Sequence, residues 1–144
     1  MGGGGLLSGV ATAIKSHFTK IDIRGVEPEK FDDTAKSIKI GSRVSNKNLS
    51  AFTICDSLRA PIPGKITFEI NKKLTGPGLV VSDEAVYKAM RYAYSELKLV
   101  IEPGGAIALA SLLDESISIS GKTVIIIASG GNVEPKTFSY AINI

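Results

Sequence analysis

Apolar positions along the chain change their spacing several times, and each change predicts an element. Leu7, Val10 and Ile14 recur at helical intervals, so a helix is expected from Leu6 to about Phe18, ending among the cations Lys15, His17 and Lys20. Ile21 to Val26 alternates as a short strand. An acidic stretch then leads into a helix from Thr34 onward, and residues 36–50 are polar without a clear period. Pro61, Pro63 and Gly64 force a loop. Thr67-Phe68-Glu69-Ile70 reads as a strand, and Gly76-Pro77-Gly78 is a turn before a second short strand, Leu79-Val80-Val81. Ser82 caps a strong helix with Asp83 and Glu84 in its first turn and Val86, Met90, Ala93 and Leu97 as its buried stripe. Pro103 opens another helix, whose apolar run is Ala106 to Leu113. Lys122 to Ala128 is almost continuously apolar, as expected of a strand covered on both faces of a parallel sheet, and Glu134 to Ile144 is a short terminal helix.

Helices interleaved with strands predict an α/β fold, a partial open parallel sheet with flanking helices. The strand that should precede the first helix is missing, so residues 1–144 read as a single incomplete domain. Composition changes this picture little: 44% hydrophobic and 22% charged residues are those of an ordinary soluble globule. A net charge of +3 raises the question of nucleic acid, but Lys36, Lys39, Arg43 and Lys47 lack interleaved aromatics and read as a solvated face. A single cysteine, Cys55, excludes an internal disulfide and fits a reducing, cytoplasmic compartment. No apolar run approaches the ~18 residues of a membrane span.

Candidate chemistry starts at Gly2-Gly3-Gly4-Gly5-Leu6. Without Cβ atoms, successive N–H groups can close on a phosphate, and the positive end of the following helix points into the same turn. The alternative is a flexible tail. Neither nucleotide signature fits: Val10 stands where a Walker loop needs Lys, and Leu7 or Ser8 interrupts every dinucleotide GxGxxG frame. Glu27, Asp32 and Asp33 either share a hard cation with backbone carbonyls or belong to a surface loop that caps the next helix. The turn Ser129-Gly130-Gly131-Asn132 follows the apolar strand, at the end of a sheet where ligands bind in open α/β folds.

Taken in order, Gly-Gly-Gly-Gly-Leu-Leu-Ser-Gly at 2–9, Gly-Val-Glu-Pro at 25–28, Glu-Pro-Gly-Gly-Ala at 102–106 and Ser-Gly-Gly-Asn at 129–132 resemble the C-terminal half of the threonine dehydratase and serine racemase family. These are pyridoxal-phosphate enzymes of the tryptophan synthase β-type fold. The resemblance implies that Gly2, Gly3, Gly4, Gly5 and the N–H of Leu6 hold the cofactor phosphate, and that Ser129 meets the pyridine nitrogen. It further implies a cation, Mg2+ or similar, on Glu27, the Phe31 carbonyl and Asp33, with Ser57 and Glu102 near the pocket. Ser57 stands where the family more often has Gly or Ala.

The family's Schiff-base lysine, the Asn that holds the ring oxygen and the substrate loop all precede its tetraglycine, and none is found here. The chain is therefore expected to be a catalytically silent fragment that needs an N-terminal half. The implied whole reaction removes the hydroxyl and amino groups of threonine or serine, giving a 2-oxo acid and ammonia, in a homodimer. The alternatives are a non-catalytic phosphate-binding or cofactor-binding module and a serine racemase-type fragment.

Overall fold

The computed structural model describes residues 1–144. Helix α1 (Gly5–His17) starts directly after Gly4, whose φ of 87° is left-handed and free of strain only for glycine. Lys15 and His17 occupy its last turn as expected, and Lys15 Nζ donates to the carbonyls of Thr19 and Ile21.

The alternating stretch before Glu27 forms less strand than its pattern predicts. Pairing is confined to β1 (Val26–Pro28) and β2 (Leu79–Val81), which run parallel with Val26 opposite Leu79, Glu27 opposite Val80 and Pro28 opposite Val81. Upstream, the facing segment is Gly76-Pro77-Gly78, in which Pro77 has no N–H to donate. Only Gly76 reaches across, its N–H donating to the Ile23 carbonyl at 2.8 Å.

Helix α2 (Asp33–Ile40) follows β1, and a single 3-10 turn at Asp56–Leu58 precedes α3 (Lys65–Leu74). Here the sequence reading needs correction, because Thr67 to Ile70 is helical and not a strand. Phe68 and Asn71 are buried while Ile66 is 76% exposed, a distribution that period two does not allow and a helix does. The apolar Ile66, Phe68 and Ile70 happen to alternate, and packing of one helical face against α1 overrides that short pattern.

Helix α4 (Asp83–Leu97) is capped as expected, the Ala85 N–H donating to Ser82 Oγ at 3.1 Å. Its stripe is Ala85, Val86, Ala89, Met90 and Ala93, but Leu97 is exposed, since the helix has by then run past its partners. Those partners are α5 (Pro103–Leu113), which brings Ala106, Ile107 and Ala110, and α6 (Pro135–Asn143), which brings Ala141. Alanine on each facing surface lets the helix backbones approach closely, and this cluster with Val26, Val81 and Cys55 is the hydrophobic core. α5 also lies against β1 and β2. The short parallel sheet with helices packed on it is the expected α/β architecture.

Residues 122–128 form no strand, contrary to the expectation of a buried one; the Lys122 N–H closes a turn onto the Ile119 carbonyl, and the backbone of residues 123–128 makes no hydrogen bond within the chain. Ile125 is 81% exposed, and Val124 and Ile127 are also open to solvent. A strand needs neighbours to satisfy its ladder, and no other segment of the chain bonds to the backbone of residues 123–128. No helix is long and apolar enough to cross a membrane.

Candidate functional site

Four turns that are far apart in sequence meet at one end of the molecule. A Cβ on Gly2 would stand 3.2 Å from the Ser57 carbonyl, and one on Gly104 would stand 2.4 Å from Ser57 Oγ. The opening glycine turn, the 3-10 turn and the start of α5 are thus in direct contact. Across α5, a Cβ on Gly130 would fall 2.6 Å from the Glu102 carboxylate. The Glu102 N–H donates to the Gly130 carbonyl at 3.0 Å, which ties the Ser-Gly-Gly-Asn turn to the same point. Ser129 is exposed beside it, and its hydroxyl has no partner within the chain. The turn therefore lies against the start of α5, although the strand expected to lead into it does not form.

The glycine turn is ordered by contacts and is not a flexible tail. The Met1 amine donates to the Val26 carbonyl, and the carbonyls of Gly3 and Gly4 accept bonds from α3. Ser8 is the first residue whose N–H finds a backbone acceptor, the Gly4 carbonyl at 2.9 Å; the N–H groups of residues 2–7 find none in the chain. Consecutive unpaired amides at a helix start form an anion-binding concavity. Gly3, Gly5 and Leu6 are exposed, so a ligand can reach it.

Beside this end lies an open cleft of about 630 Å³, lined among others by Thr53, Asp56, Arg59, Glu102, Asn132 and Tyr140. It is fairly polar, and Arg59 supplies a cation held over the Phe31 ring, 5.5 Å from its centroid. Asn132 closes the Ser-Gly-Gly-Asn turn named from the sequence, with no role of its own assigned there, whereas Arg59 was not singled out because it sits in an irregular loop that carries no local signal.

Within the acidic stretch Glu27 and Asp33 are buried, whereas Glu29 is exposed and Asp32 half-buried. Glu27 is fully enclosed on β1, and its carboxylate caps α2, accepting from the Thr34 N–H at 3.0 Å and the Ala35 N–H at 2.7 Å. Asp32, the residue at the formal cap position, makes no such bond. Asp33 Oδ1 accepts from Asn46 Nδ2 at 2.6 Å, while Asp33 Oδ2 is buried with no partner. Burial pushes the Glu27 carboxyl up to about 7, opposed by its two backbone hydrogen bonds, and burial likewise raises Asp33. The Phe31 carbonyl accepts no hydrogen bond within the chain. There is no cluster of three His, Cys, Asp or Glu side chains. Two carboxylates and a carbonyl with open acceptor capacity nevertheless suit a hard cation, and the unpaired Asp33 oxygen is the atom that lacks a partner without one. Cys55, by contrast, is inert: burial, with Asp83 nearby, pushes its thiol up to about 12.

The glycine turn at the start of α1 and the Ser129 turn beside the start of α5 are thus carried by one α/β chain. Residues 1–130 match the family of pyridoxal-phosphate dependent enzymes, and the chain belongs to that family. It is 34% identical to the L-threonine ammonia-lyase of Thermotoga maritima over 99% of its own length and 35% of that protein. It is 39% identical to a serine racemase of Oryza sativa subsp. indica, over 92% of itself and 40% of the relative. The structure of maize serine racemase superimposes with a TM-score of 0.87 at 37% identity, covering 99% of this chain and 44% of the maize protein. The fold is accordingly that of the tryptophan synthase β-like enzymes of this family. The chain spans less than half the length of the relatives it matches.

Proposed function

We propose that residues 1–144 are an incomplete domain, the C-terminal portion of a pyridoxal-phosphate dependent threonine or serine ammonia-lyase, inactive by itself. The observation that carries this reading is the run of N–H groups at residues 2–7 that find no acceptor in the chain, on a turn that touches Ser57 and exposes Gly3, Gly5 and Leu6. When bound, the cofactor supplies an electron sink for β-elimination of a hydroxy amino acid to a 2-oxo acid and ammonia.

The residues of this chain would divide the work as follows. The amides of Gly2, Gly3, Gly4, Gly5 and Leu6 bind the phosphate and fix one end of the cofactor. Ser129 would donate a hydrogen bond from its hydroxyl to the ring nitrogen. A hydroxyl is too weak an acid to transfer that proton fully, which keeps the electron demand modest and suits loss of a β-hydroxyl. Glu102 holds the Ser129 turn through its backbone bond to Gly130, and Ser57 limits how closely the main chain approaches the ring. Glu27, the Phe31 carbonyl and Asp33 would hold Mg2+ or a similar cation, removing the repulsion between two buried carboxylates and fixing β1 to the start of α2. Binding and orientation are all these groups offer. The nucleophilic lysine and the substrate loop would come from an N-terminal portion, the assembly being a cytoplasmic homodimer.

The test is complementation. Mixed with a separately produced N-terminal portion of a threonine ammonia-lyase, the chain should restore cofactor-dependent release of 2-oxobutanoate from threonine, and neither part should do so alone. Formation of D-serine from L-serine in the same mixture would support the racemase-type alternative, favoured by the 39% identity to the rice enzyme. Binding of pyridoxal phosphate without either product would indicate a non-catalytic module.

A further inference from the structure

The polar face of helix α3 packs directly against the glycine turn. Thr67 Oγ1 donates to the Gly3 carbonyl at 2.5 Å, and the Gly64 N–H donates to the same oxygen at 3.2 Å. One helical turn later, Asn71 Nδ2 donates to the Gly4 carbonyl at 3.3 Å. Thr67 and Asn71 are four residues apart and so share one face of α3.

We propose that Thr67 and Asn71 are positioning residues that pin the carbonyls of the glycine turn and thereby aim its N–H groups at a phosphoryl ligand. The inference rests on the reading of that turn as an anion site. In a trans peptide the C=O of one residue and the N–H of the next point in opposite directions from a single plane. Anchoring the Gly3 carbonyl to α3 therefore turns the Gly4 N–H away from α3, and anchoring the Gly4 carbonyl does the same for the Gly5 N–H. Without those anchors a run of glycines samples many conformations, and binding would bear the entropy of ordering it.

Two further observations support a positioning role over simple packing. Asn71 is fully buried, its Oδ1 has no partner, and its only side-chain hydrogen bond is the one to Gly4. A buried amide left half unsatisfied stabilises the fold less than an apolar side chain of the same shape, so packing alone does not call for Asn here. The clamp also leaves no space: a Cβ on Gly4 would stand 2.8 Å from Asn71 Nδ2 and 3.1 Å from Thr67 Oγ1.

The experiment compares the wild-type chain with Thr67→Val, Thr67→Ser, Asn71→Leu and the Val/Leu double variant. Two readouts are needed: the 15N heteronuclear NOE of the Gly3, Gly4 and Gly5 amides, and dissociation constants for inorganic phosphate, pyridoxal phosphate and pyridoxal. Thr67→Val and Asn71→Leu should each lower the NOE of the turn and weaken both phosphate-bearing probes by roughly tenfold, the scale of one buried hydrogen bond. Pyridoxal, lacking the phosphoryl group, should bind the variants as it binds the wild type, and Thr67→Ser should retain wild-type behaviour. Retention of α4 and α5 amide signals shows that a variant is folded. A double variant whose turn stays as rigid as α1 and whose phosphate affinity is unchanged overturns the clamp. A wild-type turn that is rigid, loosens in the variants and binds no phosphate sustains the clamp and overturns the anion reading instead.

Discussion

Single residues show where burial and chemistry compete. Asp33 keeps an unpaired oxygen inside the protein near Glu27, and burial raises both carboxyls, a cost that the cation proposed above would relieve. Addition of Mg2+ at a hundred times its dissociation constant should stabilise the chain by about 2.7 kcal/mol, read as a rise in thermal midpoint. Asp33→Asn should abolish that increment, and a midpoint indifferent to millimolar Mg2+ and Ca2+ would remove the cation from the account. Cys55 allows a test free of ligands. Its thiol is raised from 9.0 to about 12 by burial, so the folded state holds the proton more tightly than the unfolded one. The stability this contributes is fully present below pH 9 and declines as pH rises from 9 toward 12. At pH 8, iodoacetamide should therefore leave the native chain unmodified and alkylate it rapidly in urea, as mass spectrometry would record.

At the scale of elements, the legible parts are those whose signals are local and redundant. α1, α4 and α5 each combine an apolar period with a residue that fixes the start: the glycine turn, Ser82 or Pro103. β2 was readable because Gly76, Pro77 and Gly78 delimit it. α3 was not, since four residues of alternation cannot distinguish a strand from a helix when only one side chain, Phe68, supplies most of the burial. Glu27 as the cap of α2 was hidden for a different reason: the capping carboxylate lies on β1, outside the local window in which a cap is sought. The same holds for the convergence of Ser57, Glu102 and Gly130, whose motifs were visible singly but whose meeting is tertiary. The helical assignment of α3 makes a sharp prediction. In a strand, Ile66 and Phe68 would share a face, whereas here Ile66 is 76% exposed and Phe68 is 2% exposed. Ile66→Lys should change unfolding free energy by no more than about 0.5 kcal/mol, and Phe68→Ala should lower it by about 3–5 kcal/mol in urea titrations. Equal losses would contradict the helix.

For the molecule as a whole, the decisive feature is apolar surface without a partner. The core gathered by α4, α5 and α6 is well enclosed, yet residues 123–128 present Val124, Ile125 and Ile127 to water with their backbone N–H and C=O groups unpaired. That combination is an open template for strand pairing, because a second chain could satisfy the backbone and bury the side chains at once. An isolated chain has two ways to meet this demand, pairing with the N-terminal portion proposed above or pairing with other copies of itself. The second needs no other molecule, so the purified chain should self-associate with rising concentration in sedimentation velocity. A charge placed at the most exposed position opposes strand stacking while leaving the α4–α5 core untouched. Ile125→Lys should thus shift the sedimentation profile toward monomer without lowering the midpoint of urea unfolding measured in dilute solution. In the complementation assay the same substitution should reduce recovered activity, since a side chain that is exposed in the lone chain would then lie inside the completed sheet. A variant that dissolves better and complements as well as the wild type would show that residues 122–128 remain at the surface of the assembled enzyme.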